Sequence, residues 1–157
     1  MGPGEPAPWS LPYPKEPAGG PEAECARYEE LIREAGGIDL AVLGLGGNGH
    51  IAFNEPGTPF ESTIHVAELS QETREAEAAA FGGVDRVPEK AITMGIRTVM
   101  NAREIFLLVS GEEKAEVLSR ALTGPITPEV PASVLQLHPR LTVLADAAAA
   151  GSLPNLT

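Results

Sequence analysis

His50, Asn48, Asn54 and Glu55 crowd into one glycine-rich stretch, Leu43-Gly44-Leu45-Gly46-Gly47-Asn48-Gly49-His50-Ile51-Ala52-Phe53-Asn54-Glu55-Pro56-Gly57. A histidine moves protons near neutral pH, and a carboxylate beside it can orient the ring and favour its charged form. His50 and Glu55 therefore read as an acid/base pair. The competing reading is that His50 only hydrogen-bonds the backbone of a tight loop while Glu55 is solvated, and residue types and spacing leave both open. A metal site has less support, because no third ligand stands at a supporting spacing and the chain has a single cysteine, Cys25.

The glycines lack a Cβ, so the backbone can turn sharply and approach a ligand. Gly44, Gly46 and Gly49 match G-x-G-x-x-G, the dinucleotide fingerprint. That fingerprint has to open a helix, whereas Pro56-Gly57 follows closely and Ile51-Ala52-Phe53 carries no helical stripe, which argues against a dinucleotide site. The loop needs a strand to position it. Ile38 to Leu43 is a nearly continuous apolar run, suited to a strand covered on both faces in a parallel sheet. Loops at the carboxyl ends of such strands are where open α/β sheets bind ligands.

The remaining elements follow from spacing and punctuation. Seven of the fifteen prolines fall between Met1 and Pro21, which predicts an extended leader over residues 1–20 with Trp9, Leu11 and Tyr13 as docking residues. Tyr28, Leu31, Ile32 and Ala35 predict a helix from Pro21 that stops at Gly36-Gly37. Ile64 and Val66 alternate with polar residues in a predicted strand, which leaves His65 facing outward. Ser70 can cap a helix ending at Gly82-Gly83, whose acidic residues are read as a solvated face. Short strands at Ala91–Met94 and Ile105–Val109 flank a helical turn near Arg97–Asn101. Glu112–Leu122 is an amphipathic helix with Lys114 in its first turn, where N–H groups and the dipole suit a phosphate. A short helix at Ala132–Leu137, a strand at Leu141–Leu144 and a weakly structured tail over 147–157 complete the chain. Alternating strands and helices predict an α/β domain over 21–146, a mostly parallel sheet covered by helices on both faces.

A chain of 157 residues with 43% hydrophobic content is one globular domain with a real core. Its net charge of −11 and lack of a basic cluster argue against nucleic acid or an anionic membrane as partner. No apolar run reaches the length of a membrane span and the amino terminus has no signal pattern, so the expected compartment is cytoplasmic. Cys25 cannot form an internal disulfide and is read as structural.

Gly44 to Gly57 resembles the signature of the glucosamine-6-phosphate deaminases (glucosamine-6-phosphate isomerases), and Ile51 to Gly57 separates it from the related 6-phosphogluconolactonases. Further matches come in order: Thr73-Arg74, Val87-Pro88 with Ala91-Ile92-Thr93-Met94-Gly95, Gly111-Glu112-Glu113-Lys114, and Ser133-Val134-Leu135-Gln136-Leu137-His138-Pro139. The resemblance implies a three-layer Rossmann-like fold and conversion of glucosamine 6-phosphate to fructose 6-phosphate and ammonia, with no organic cofactor. By motif, His50 opens the sugar ring, Glu55 tunes it, Asn48 holds it, Lys114 binds phosphate, and Gly46 and Gly49 bring backbone to the substrate.

Two features depart from the family's pattern. An arginine that binds phosphate falls, by count from Thr73-Arg74, at Ala79. The resemblance covers a carboxyl-terminal half, so a Ser/Gly/Thr-rich phosphate loop and the aspartate that removes the C2 proton have no counterparts; the chain's aspartates are Asp39, Asp85 and Asp146. Two readings result: a deaminase that needs a complementary amino-terminal half, or a phosphosugar-binding or regulatory half-domain without catalysis. The expected partners are an amino-sugar phosphate and either that half or a second copy of the chain.

Overall fold

The computed structural model describes residues 19–154, so the expected docking residues Trp9, Leu11 and Tyr13 lie outside the described residues. The elements run in chain order α1 (Pro21–Glu34), β1 (Leu40–Gly44), β2 (His65–Glu68), α2 (Gln71–Phe81), β3 (Lys90–Thr93), α3 (Ile96–Met100), β4 (Glu104–Val109), α4 (Ala115–Thr123) and β5 (Leu141–Ala145). Strands β1, β4 and β5 form a parallel sheet in the order β1-β4-β5, and β2 pairs with β3 as an antiparallel ribbon. The α/β class and the mostly parallel sheet are as the alternation predicts.

The two faces of the sheet are covered differently. Ala41, Leu43, Ile105, Leu107 and Val109 point into the main core against Val99, Leu118, Ala121 and Leu135, from α3, α4 and the 3-10 turn Pro131–Leu137. The opposite face carries Leu40, Val42, Leu108 and Leu144, all exposed. Helix α1 packs instead over the ribbon, where Cys25, Ile32 and Ile64 make a second apolar cluster. The Glu29 carboxylate fixes that layer by accepting from Ile64 N (3.1 Å) and Thr98 Oγ1 (3.2 Å).

Caps fall where small polar residues and glycine predict them. Ser70 Oγ accepts from Thr73 N (3.1 Å), and Gly82 ends α2 in the left-handed region at φ 75°. Three details differ from the sequence expectations. The predicted helix at Glu112 begins as a 3-10 turn, Glu112–Lys114, before α4 starts at Ala115. In β2, Val66 meets the α1 cluster on one side while Ala67 is buried on the other, so the strand is covered on both sides. His65 is only half-exposed and its Nδ1 donates to Thr63 O (2.8 Å). Past the last strand, Ala149–Ser152 forms a 3-10 turn with Ala149 fully buried in the main core, because the Asp146 carboxylate accepts from Ala149 N (2.7 Å) and folds the chain back.

Candidate active site

Strand β1 ends at Gly44 and delivers the glycine-rich loop to the carboxyl end of the parallel sheet. The loop is pinned from several directions. Gly46 N donates to His50 O (3.0 Å) and Gly49 N to Gly46 O (3.0 Å), which closes the turn. Phe53 N donates to Thr93 Oγ1 (3.0 Å), and the fully buried Asn54 donates through Nδ2 to Ile51 O (2.9 Å) and Met94 O (2.8 Å). Asn54→Ala leaves the Met94 carbonyl without this donor, and a loss of about 1–3 kcal/mol of stability is expected, read as a lowered denaturation midpoint. An unchanged midpoint would show that water replaces the amide.

His50, Asn48 and Glu55 come together, and the amide stands in the middle. Asn48 Nδ2 donates to Glu55 Oε2 (2.8 Å), while Asn48 Oδ1 accepts from His50 N (3.1 Å) and lies 2.7 Å from His50 Nδ1. A carboxylate only accepts hydrogen bonds, so the Asn48 NH2 must face Glu55 and its oxygen must face the imidazole. His50 Nδ1 therefore carries the hydrogen, and Nε2 keeps its lone pair. The direct approach of His50 Nδ1 to Glu55 Oε2 is 3.8 Å, beyond hydrogen-bond range, so Glu55 orients His50 through Asn48 rather than by contact.

Burial raises the Glu55 carboxyl, but hydrogen bonds from Thr73 Oγ1 (2.5 Å), Asn48 Nδ2 and Ser70 N (3.2 Å) outweigh it and hold the group below its ordinary value. For His50 the balance runs the other way. Burial lowers it, the Glu55 charge raises it, Lys114 lowers it again, and the net direction is downward. The expectation that Glu55 favours charged His50 names only the weaker influence; desolvation wins, so the ring is neutral at neutral pH with Nε2 able to accept a proton.

Glu55→Gln removes the charge that pulls His50 upward, so His50 becomes still harder to protonate. The acidic limb of any His50-dependent rate is expected to move to lower pH, and a limb that stays put or moves up contradicts the coupling. The amide also sets one NH2 against a donor on Asn48, Thr73 or Ser70, at about 1–3 kcal/mol of stability. In the parent, the Glu55 contribution to stability is present above its unfolded value and lost as pH falls through the depressed folded value.

His50 lines a cleft of about 560 Å³ with Gly46, Thr73, Glu77, Thr93 and Lys114. A larger hollow, about 1050 Å³ between α1 and β2, brings together Cys25, Glu29 and His65 but no such relay. Lys114 lines the same cleft, and Gly111 N, the first N–H at that turn, already donates to the Asp146 carboxylate (3.1 Å). Gly46 lines the cleft, and a Cβ there would stand 2.2 Å from the His50 ring, so the ring's seat against this backbone requires glycine. Gly49 does not line the cleft. It is buried at φ 91° under Val130, and its carbonyl accepts from Ala132 N (3.0 Å).

On α2 the cleft-facing residues are Thr73, Ala76 and Glu77, while Ala79 is exposed. The acidic stretch is thus only partly a solvated face, since Glu72 and Glu77 both favour the charged form of His50. Sequence reasoning missed Thr73 as the closest partner of Glu55, although the Ser70-x-x-Thr73 cap placed it at the helix start. It also missed Ala52, a cleft residue at φ 49° that has no glycine to announce it. Burial raises the Cys25 thiol, consistent with a structural role. His138 is buried, with Nε2 donating to Ala102 O (2.9 Å) and Nδ1 accepting from Arg140 N (3.2 Å), so it is occupied with structure. Among the described residues no cluster of metal-ligating side chains occurs, and no helix is long and apolar enough to cross a membrane.

Residues 6–143 match the family described as glucosamine-6-phosphate isomerases/6-phosphogluconolactonase. A glucosamine-6-phosphate deaminase of Halalkalibacterium halodurans is 56% identical over 124 residues, 79% of this chain and 50% of the relative. One from Shouchella clausii is 54% identical over 129 residues, 82% of this chain and 52% of the relative. The chain thus spans about half the length of the curated relatives it matches. A solved monomeric glucosamine-6-phosphate deaminase superposes with TM-score 0.85 at 49% identity, covering 88% of this chain and 58% of that one. A Trypanosoma brucei 6-phosphogluconolactonase shares the fold at TM-score 0.63 and 18% identity, covering 89% of this chain and 56% of that one.

Proposed function

The chain belongs to the glucosamine-6-phosphate isomerase/6-phosphogluconolactonase family, and from that premise we propose that its cleft carries out the ring-opening step of glucosamine 6-phosphate deamination. The observation that supports this most is the Glu55–Asn48–His50 relay, which leaves Nε2 of a neutral imidazole unprotonated in a cleft shared with Lys114. Nε2 takes the proton of the anomeric hydroxyl and returns it to the ring oxygen, and the hemiacetal opens to the aldehyde. The protonated ring formed on the way is stabilised by the charges of Glu55, Glu72 and Glu77. A second base is then needed to move the C2 proton to C1, which turns the open-chain aldehyde into the C2 imine; water adds to that imine and ammonia leaves, so that the C2 carbonyl of fructose 6-phosphate takes its oxygen from water.

Lys114 is the phosphate contact in this reading. Lys114→Ala is expected to weaken glucosamine 6-phosphate binding about tenfold, measured by calorimetry. Unchanged affinity with binding detectable in the parent removes Lys114 from the site. The compartment that goes with this reading is the cytoplasm.

A second reading, a phosphosugar-binding half-domain without turnover, draws on the aspartates. Asp39 pairs with Arg103 at the surface, Asp85 is exposed, and Asp146 holds Gly111 and Ala149, so none lines the cleft. Ala79 in place of a phosphate-binding arginine points the same way. Ammonia release that depends on His50 supports the enzyme, and tight substrate binding without release supports the half-domain.

A further inference from the structure

Two opposite charges line the candidate cleft without pairing. Glu77 comes from α2 and Lys114 from the turn that leads into α4, and both share the cleft of about 560 Å³ with His50. Among the described residues neither takes part in an ion pair, with the other or with a third group. Both act on His50 through space, Glu77 favouring its charged form and Lys114 opposing it. The neighbouring carboxylates are placed differently. Glu55 is committed to Thr73, Asn48 and Ser70, and Glu72 is exposed over the Gly47 backbone, outside the cleft wall. Glu77 is half-buried and is the one carboxylate among the described residues that line the cleft. The wall therefore offers a bound molecule one anion, one cation and an imidazole.

An amino-sugar phosphate carries the complementary set. Its C2 ammonium and its C6 phosphate lie on either side of the bond between C1 and the ring oxygen, the bond on which His50 would act. With the phosphate on Lys114 and His50 at C1, the ammonium is one carbon from the reacting centre, in the same cleft as the Glu77 carboxylate. We propose that Glu77 is the specificity residue of this cleft: it accepts hydrogen bonds from the C2 ammonium and so selects an amino-sugar phosphate over a sugar phosphate with a hydroxyl at C2. The proposal rests on the reading of the cleft as a sugar-phosphate site and deepens it. A hydrogen bond between two charged groups is about twice as strong as one between neutral groups, so the ammonium gains more from Glu77 than a hydroxyl does. For a ligand whose only charge is its phosphate, the same carboxylate is a like charge in a small cleft. Glu77 thus discriminates twice, by attracting one ligand and by repelling the other.

Calorimetry of the 157-residue chain at neutral pH, with glucosamine 6-phosphate and with glucose 6-phosphate, tests it. The parent is expected to bind the amino sugar about tenfold more tightly. Glu77→Gln should erase that preference by moving the two affinities in opposite directions, weaker for glucosamine 6-phosphate and stronger for glucose 6-phosphate. Glu75→Gln makes the same change of charge at an exposed position of α2 and should leave both affinities where they are. Glutamine has nearly the shape of glutamate and residue 77 is only half-buried, so circular dichroism should show the variant folded. Tighter binding of both ligands by Glu77→Gln overturns the proposal, because Glu77 would then only repel phosphate. Weaker binding of both overturns it as well, since that is the mark of a carboxylate that shapes the cleft without reading C2. A parent that binds the two sugars equally overturns the proposal and leaves the sugar-phosphate reading standing, whereas a parent that binds neither overturns both. Ammonia release is read separately: the predicted preference without turnover supports Glu77 as the C2 contact and overturns only the deaminase reading.

Discussion

Gly46→Ala is expected to lower His50-dependent turnover by ~10²-fold or more although it removes no titrating group. The added Cβ would stand 2.2 Å from both Cε1 and Nδ1 of His50, so the ring has to leave its seat on the Gly46 backbone. Leaving it breaks the 2.7 Å contact between Nδ1 and Asn48 Oδ1, and with it the link that fixes which nitrogen carries the hydrogen. The loop cannot yield instead, because Gly46 N and Gly46 O both hold the turn. Nitrogen chemical shifts of His50 should report loss of the Nδ1–H tautomer alongside the lost rate. Gly151→Ala, where the new methyl meets nothing within 4 Å, is the matched control. Parent-like rates in Gly46→Ala would mean that the imidazole orientation is irrelevant and that His50 is not the proton carrier.

Patterns that depend on one element were legible in the sequence. The apolar run before the glycines, the Ser70 cap and Gly82 stop, and the alternation of strands with helices all report local or single-face requirements, and β1, α2 and the parallel sheet follow them. Cover was not legible. A run such as Leu40-Ala41-Val42-Leu43 reads the same whether both faces are buried in this polypeptide or only one, since burial depends on chain far away in sequence. The tail shows the same limit. Ala147 to Leu153 has no period, yet one carboxylate, Asp146, turns it back so that Ala149 is fully buried.

At the site, residue types put His50 and Glu55 forward and the resemblance gave Asn48 as the residue that holds His50, but the link from Glu55 to Asn48 was not legible. A histidine five residues from a glutamate suggests contact, but the loop interposes Asn48, and only the paired distances of 2.8 and 2.7 Å show a relay. The sign of the His50 shift was also hidden, because sequence displays charges and not burial. Glu77 was hidden for a different reason: its helix face is decided by where α2 lies over the loop, and an Ala/Glu-rich helix offers several candidate faces.

The isolated chain is expected to release ammonia from glucosamine 6-phosphate ~10²–10⁴-fold more slowly than a complete deaminase, the usual consequence of lacking a positioned acid/base group. The reason lies in which carboxylates are at liberty. Glu55 is committed to three donors and held ionised by them, and the three aspartates lie outside the cleft. His50 alone can pass a proton between the anomeric hydroxyl and the ring oxygen, so the chain should hasten interconversion of the anomers. It should not wash deuterium into C2 in heavy water, because that exchange requires a base on the other side of the open-chain sugar. Joining the complementary portion should restore both C2 exchange and ammonia release, and His50→Gln in that assembly should abolish them. Full ammonia release by the chain alone at neutral pH would break this division of labour. Glu77, the carboxylate that lines the cleft beside His50, would then be the first base to replace, and Glu77→Gln would separate a proton acceptor, which loses C2 exchange, from a charge that only tunes His50 and shifts the pH limb.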